Sequence, residues 1–135
     1  MENMQINWLA VVAAALANFV IGGLWYSPAL FGKAWMKANG FSEDDLKKGS
    51  PAMIFGVSFV FCLLMSANLA AFTGDPSVTL GFVVFAAIAA GLGWAALGLG
   101  VVALFERRPW SYIFINGGYL TVSFAVMGLI LGAWR

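Results

Sequence analysis

The chain has 135 residues, of which 62% are hydrophobic and 10% charged, with a formal net charge of +1. A soluble domain carries about 25% charged residues, so this composition excludes an ordinary soluble fold, which would expose large apolar patches. The small net charge leaves no basic field for nucleic acid. The absence of histidine removes the commonest general base and nitrogen metal ligand.

The first apolar run, Ile6 to Tyr26, ends at Ser27-Pro28. Ala15-Leu16-Ala17 has the form of a signal-peptide cleavage site. Yet only Glu2 precedes the run, where a signal peptide needs positive charge, and the run continues to Tyr26. A retained first helix is expected.

The stretch from Phe31 to Ser50 is polar by comparison. Helical spacing covers Leu30 to Asn39, and Asn39-Gly40 is a helix stop. Ser42 before Glu43, Asp44 and Asp45 has the form of a cap starting another short helix. The stretch is expected to lie at the membrane surface; a mobile loop is the alternative, since such short helices are marginal alone. The cluster Glu43, Asp44, Asp45, Lys47 and Lys48 reads as helix-terminal charge rather than a metal site.

Three further runs follow: Pro51 to Thr73, Val78 to Phe105 and Trp110 to Trp134. Pro51 suits a first helical turn. Each run reaches the length of about 20 apolar residues that crosses a bilayer, and none contains Asp, Glu, Lys or Arg in its interior. The third would be about 42 Å long as a helix and should tilt, bend or protrude. Its glycines, Gly91, Gly93, Gly98 and Gly100, are places to bend. Thr73 to Ser77 and Glu106 to Pro109 read as tight turns. The only cysteine, Cys62, lies within the second run and makes the redox compartment unreadable.

The fold expected is all-α: a polytopic membrane protein with four transmembrane helices in a bundle, at about 6–26, 51–73, 78–105 and 110–134. The whole chain, 1–135, forms one domain with a short interfacial helical segment between helices 1 and 2. Lys33, Lys37, Lys47, Lys48, Arg107 and Arg108 all fall on one side, against Arg135 on the other. The positive-inside rule then places loops 27–50 and 106–109 in the cytoplasm and both termini outside. Trp25, Tyr26, Trp35, Trp110 and Tyr112 would ring the cytoplasmic interface, and Trp8 and Trp134 the outer one. Leu30-Phe31-Gly32-Lys33 and Leu104-Phe105-Glu106-Arg107 echo each other; duplication and chance are both open explanations.

Three strings follow one another in order: Asn7-Trp8-Leu9-Ala10-Val11, then Gly22-Gly23-Leu24-Trp25-Tyr26-Ser27-Pro28, then Leu30-Phe31-Gly32-Lys33-Ala34-Trp35. With Phe105-Glu106-Arg107-Arg108 and Asn116-Gly117-Gly118-Tyr119, they resemble the bacterial membrane family catalogued as domain of unknown function 1761. The resemblance covers essentially the whole chain. It implies a four-helix protein of the bacterial inner membrane and supplies no activity.

Polar groups in hydrocarbon are costly and mark candidate sites. Asn18, Asn68 and Asn116 stand out, with Ser58, Ser66, Thr121 and Ser123. Asn18 and Asn116 should lie at similar depth, while Asn68 lies near the outer end of helix 2. They would form a polar ligand site or act as interhelical glue. The corner Trp25-Tyr26-Ser27-Pro28 reads either as a helix terminus or as an interaction edge. Small residues recur at spacing four in Ala87, Gly91 and Ala95, in Ala96 and Gly100, and in Gly128 and Gly132. Those faces would pack within the bundle or between copies. Trp94 is expected to fill the space beside Gly91 and Gly93.

No catalytic, cofactor or metal signature is present, so no cofactor is expected and an enzyme is not. The expected role is non-enzymatic: an interaction or accessory protein that self-associates, with lipid, copies of itself and other membrane proteins as partners. The alternative is an oligomeric channel or small-solute transporter lined by Asn and Ser.

Overall fold

Capping chemistry fixes several helix ends. In the computed structural model, which describes residues 5–134, Asn7 caps α1 (Trp8–Trp25) by accepting from the Leu9 and Ala10 backbone N–H groups. The expected start at Ile6 therefore moves two residues on. After the corner at residues 26–31 comes α2 (Gly32–Asn39), stopped by Gly40 at φ 70°, as Asn39-Gly40 predicts. Ser42 and Asp45 form a reciprocal capping box on α3 (Glu43–Leu46). Ser50 caps α4 (Pro51–Thr73), with Pro51 in its first turn. Thr79 caps α5 (Leu80–Ala90) by accepting from Phe82 N–H at 3.1 Å, which shortens the span expected from Val78. A π-helical turn (Gly91–Ala96) joins α5 to α6 (Leu97–Phe105), and α7 (Trp110–Ala133) follows.

Four helical units, α1, α4, the α5–α6 span and α7, are long and apolar enough to cross a membrane. Large apolar side chains cover their exteriors; Phe72 is 78% exposed and Phe105 82%. A soluble protein would bury such residues, whereas lipid solvates them.

α7 is the central helix. It packs on α1 at one side and on α5, the π turn and α6 at the other. α4 packs on α1 and barely meets α5, so the bundle is open along that side. In the half nearer the termini the core is small and apolar: Ala10, Val11, Ala14, Leu69, Ala70, Ala87, Met127 and Leu131.

The buried stripe of the third span is Val83, Ala87, Gly91, Ala96, Gly100 and Ala103. The step is four residues up to Gly91, then five to Ala96. The wider π winding absorbs the extra residue, so the stripe stays on α7. The stripe expected at Gly91 and Ala95 is thus corrected to Gly91 and Ala96. Trp94 is corrected too: it does not fill the space beside the glycines but points outward, 80% exposed.

The small faces are used inside the chain. A Cβ on Gly91 would stand 2.6 Å from Phe124 Cβ, one on Gly128 2.5 Å from Ala87 Cβ, and one on Gly132 2.7 Å from Leu80 Cδ1. Gly100 is looser, at 3.6 Å from Ile113 Cγ2. The two echoing segments have unlike local structure: Gly32 opens α2, whereas Glu106 caps α6.

Candidate functional site

The half of the molecule nearer the long loop holds a seam of aromatic and amide side chains between α1 and α7. It starts at the corner. Ser27 Oγ donates to Leu24 O at 2.7 Å, Phe31 N to Trp25 O at 2.9 Å and Gly32 N to Ser27 O at 2.9 Å. These bonds fold the chain back so tightly that only glycine fits at 32. A Cβ there would sit 2.5 Å from Tyr26 O and 2.7 Å from Ser27 O.

The turned corner aims Trp25 and Tyr26 at α7. Trp25 Nε1 donates to Ile115 O at 2.8 Å. Tyr26 Oη donates to Asn116 Oδ1 at 2.5 Å, and Asn116 Nδ2 donates to Tyr112 O at 2.9 Å. Both aromatics are half-buried, so they pin α1 to α7 rather than standing free at the interface. Trp35 of α2 closes over Tyr26, with ring centroids 5.6 Å apart.

Deeper along the seam, Tyr119 Oη donates to Asn18 Oδ1 at 2.6 Å. The Tyr26 and Tyr119 rings lie 5.5 Å apart. Asn18 and Asn116 are therefore in one seam, as their depths predict, but two tyrosines stand between them. Glycines make the room: a Cβ on Gly22 would meet Tyr119 Oη at 3.3 Å, and one on Gly118 would meet the Trp25 ring at 3.0 Å. Gly-Gly-Leu-Trp-Tyr-Ser-Pro and Asn-Gly-Gly-Tyr are thus two halves of one interlock.

Other polar residues have separate places. Ser66 Oγ donates to Val11 O at 2.8 Å, tying α4 to α1. Thr121 bonds to its own helix at Gly117 O. Asn68 is exposed, away from Asn18 and Asn116, and donates to Leu64 O of its own helix at 3.0 Å. Asn68 lines a cleft of about 600 Å³ between α4 and the π turn, with Phe61, Leu64, Phe72 and Trp94. Two fully buried polar atoms lack a partner among the described residues: Asn18 Nδ2 and Ser123 Oγ. Ser123 lies one turn from Tyr119 on the same face of α7.

The tyrosines are what a reading of the spans by Asn, Ser and Thr misses. Tyr119 lies within its span, far from either interface, where its hydroxyl needs a partner; that position is the signal. Chemically, the seam presents phenols and amides and no charged group. Its bonds join α1 to α7 within the chain.

The family model described as protein of unknown function, DUF1761, matches residues 9–132. The chain belongs to that family. This DUF1761 member matches no curated protein and no solved structure. Three of the strings that carry the resemblance, Gly22 to Pro28, Leu30 to Trp35 and Asn116 to Tyr119, form the corner and its socket on α7.

Proposed function

We propose that this DUF1761 member is a non-enzymatic interaction protein of the bacterial inner membrane that self-associates. The observation that carries this reading is the open side of the bundle. α4 holds to α1 and barely touches α5, leaving a lateral apolar cleft where further helices can pack. The intramembrane polar groups favour the same reading. Asn116, Asn18 and Ser66 bond to neighbouring helices of the same chain, which is the chemistry of interhelical glue.

The orientation we propose has the long loop and Arg107-Arg108 in the cytoplasm and both termini outside. Its support is the clustering of Lys and Arg at one end.

Native mass spectrometry of protein gently extracted from its own membrane tests the role. A discrete homo-oligomer is the expected result. A stoichiometric foreign subunit would make it an accessory to that partner instead, and a bare monomer would overturn self-association.

A second reading, a conduit for a small polar solute, draws on the two unpartnered buried atoms, Asn18 Nδ2 and Ser123 Oγ. Asn18→Leu and Asn116→Leu variants separate the two. A folded protein with a lost cellular phenotype favours the conduit; an unchanged phenotype sinks it.

A further inference from the structure

The turn between α6 and α7 holds Arg107 at φ 62°, the only residue other than glycine at positive φ among the described residues. Arg108 N donates to Ala103 O at 2.9 Å and Arg107 N to Leu104 O at 3.2 Å, the paired bonds that close a helix end through one left-handed residue. α2 ends in the same way. Phe41 N donates to Met36 O and Gly40 N to Lys37 O, and there the left-handed residue is glycine. A residue with a Cβ pays a steric cost in that conformation that glycine avoids. Of two helix ends built alike, the one at Arg107 carries that cost.

No contact within the chain offsets it. The Arg107 guanidinium has no partner among the described residues. Its neighbour is engaged: Arg108 Nε lies 4.0 Å from Glu106 Oε1, and the Arg108 guanidinium lies over the Tyr112 ring, 5.3 Å from its centroid. Membrane topology does not require arginine at this position either. The positive-inside rule counts basic residues in a loop. A basic residue at position 106, where φ is −81°, would count equally without the cost.

We propose that Arg107 holds the phosphate of an anionic membrane lipid at the tip of the α6–α7 hairpin. The exposed Trp110 and Phe105 flank the turn and set it at the level of the headgroups, where tryptophan anchors and lipid phosphates lie. A guanidinium presents paired N–H donors that match two phosphate oxygens. Two arginines against Glu106 leave the turn net positive, which favours a lipid of net negative charge over a zwitterionic one. Arg108 is spent on Tyr112 and Glu106, so Arg107 supplies the fork. The inference is independent of the self-association reading.

Native mass spectrometry of the protein titrated with phosphatidylglycerol or phosphatidylcholine tests this, beside thermal unfolding in lipid-free detergent. The parent should retain phosphatidylglycerol in preference. Arg107→Gly should weaken that retention about fivefold, the share of one basic residue at a membrane surface. Without lipid the same variant should melt no lower than the parent, because glycine relieves the left-handed residue. Arg107→Lys, which keeps the charge and loses the fork, should keep part of the retention. Lys47→Gln, which removes an exposed charge from the long loop, should retain lipid as the parent does. Equal retention of the two lipids by the parent, or undiminished phosphatidylglycerol on Arg107→Gly, overturns the proposal. So does an equal loss in Lys47→Gln, which would make the effect a diffuse field. A lower melting point for Arg107→Gly without lipid would make the arginine structural, and displacement of the lipid by inorganic phosphate would make the site one for the free ion.

Discussion

Gly32→Ala probes whether the corner depends on glycine. The new methyl would lie 2.5 Å from Tyr26 O, 2.7 Å from Ser27 O and 2.8 Å from Ser27 C. All three are backbone atoms, so no side chain can rotate away. Overpacking costs about 1–3 kcal/mol, and a rigid obstacle puts this site at the upper end. Alanine regains at most about 1 kcal/mol through its lower backbone entropy cost. The net expectation is a loss of about 2 kcal/mol, or roughly 5–10 °C in Tm at this chain length. The protein has its own reporter for the measurement. Cys62 is the only cysteine and is buried, so a thiol-reactive fluorogenic dye should read unfolding in detergent. Gly23→Ala is the control, because a Cβ there meets nothing within 4 Å. If Gly32→Ala melts together with Gly23→Ala and the parent, the corner does not depend on that close approach and the reasoning fails.

Tyr26→Phe removes the donor to Asn116 and should cost about 1–2 kcal/mol. In a double-mutant cycle with Asn116→Leu, the second change should cost less once the first is made, and strict additivity would show that the bond carries no coupling. Asp45 accepts from the Ser42 backbone N–H and from Lys48, which hold its carboxyl below the ordinary 3.8. A lowered folded value means that its contribution is complete above the unfolded value and disappears as pH falls through the folded one. The Ser42 amide resonance should therefore shift only below about pH 4; a transition near neutrality would contradict the capping box. A C-terminal alkaline phosphatase fusion should be active and a green fluorescent protein fusion dark, and the reverse pattern would invert the topology.

The spans were legible because lipid imposes a plain requirement: long runs without charge. Gly40, Ser42 and Pro51 were legible because caps use local chemistry. The start at Leu80 was harder, since Val78 is as apolar as its neighbours and only the Thr79 side chain ends the turn. Asn18 and Asn116 could be placed at similar depth from helical rise alone. Their actual partners could not, because Tyr26 reads first as an interface residue, Tyr119 stands apart from the Asn, Ser and Thr set, and their hydroxyl partners lie 90 and 101 residues away in sequence. Ala95 was misplaced for a related reason. Extending a spacing of four assumes uniform winding, and the π turn departs from it without a charged or prolyl residue to announce it.

That departure has a consequence for chain length. Between Gly91 and Ala96 the third span carries one residue more than an α-helix needs to return to the same face. Deleting Gly93, where an added Cβ would meet nothing within 4 Å, should let the segment rewind as α-helix and leave Gly100 and Ala103 where they are. Deleting a residue such as Leu99, where the winding has no slack, should rotate everything beyond it by about 100°. Among the described spans the π turn is the place where a residue can thus be shed in mid-membrane, and what the protein would give up there is the outward throw of Trp94.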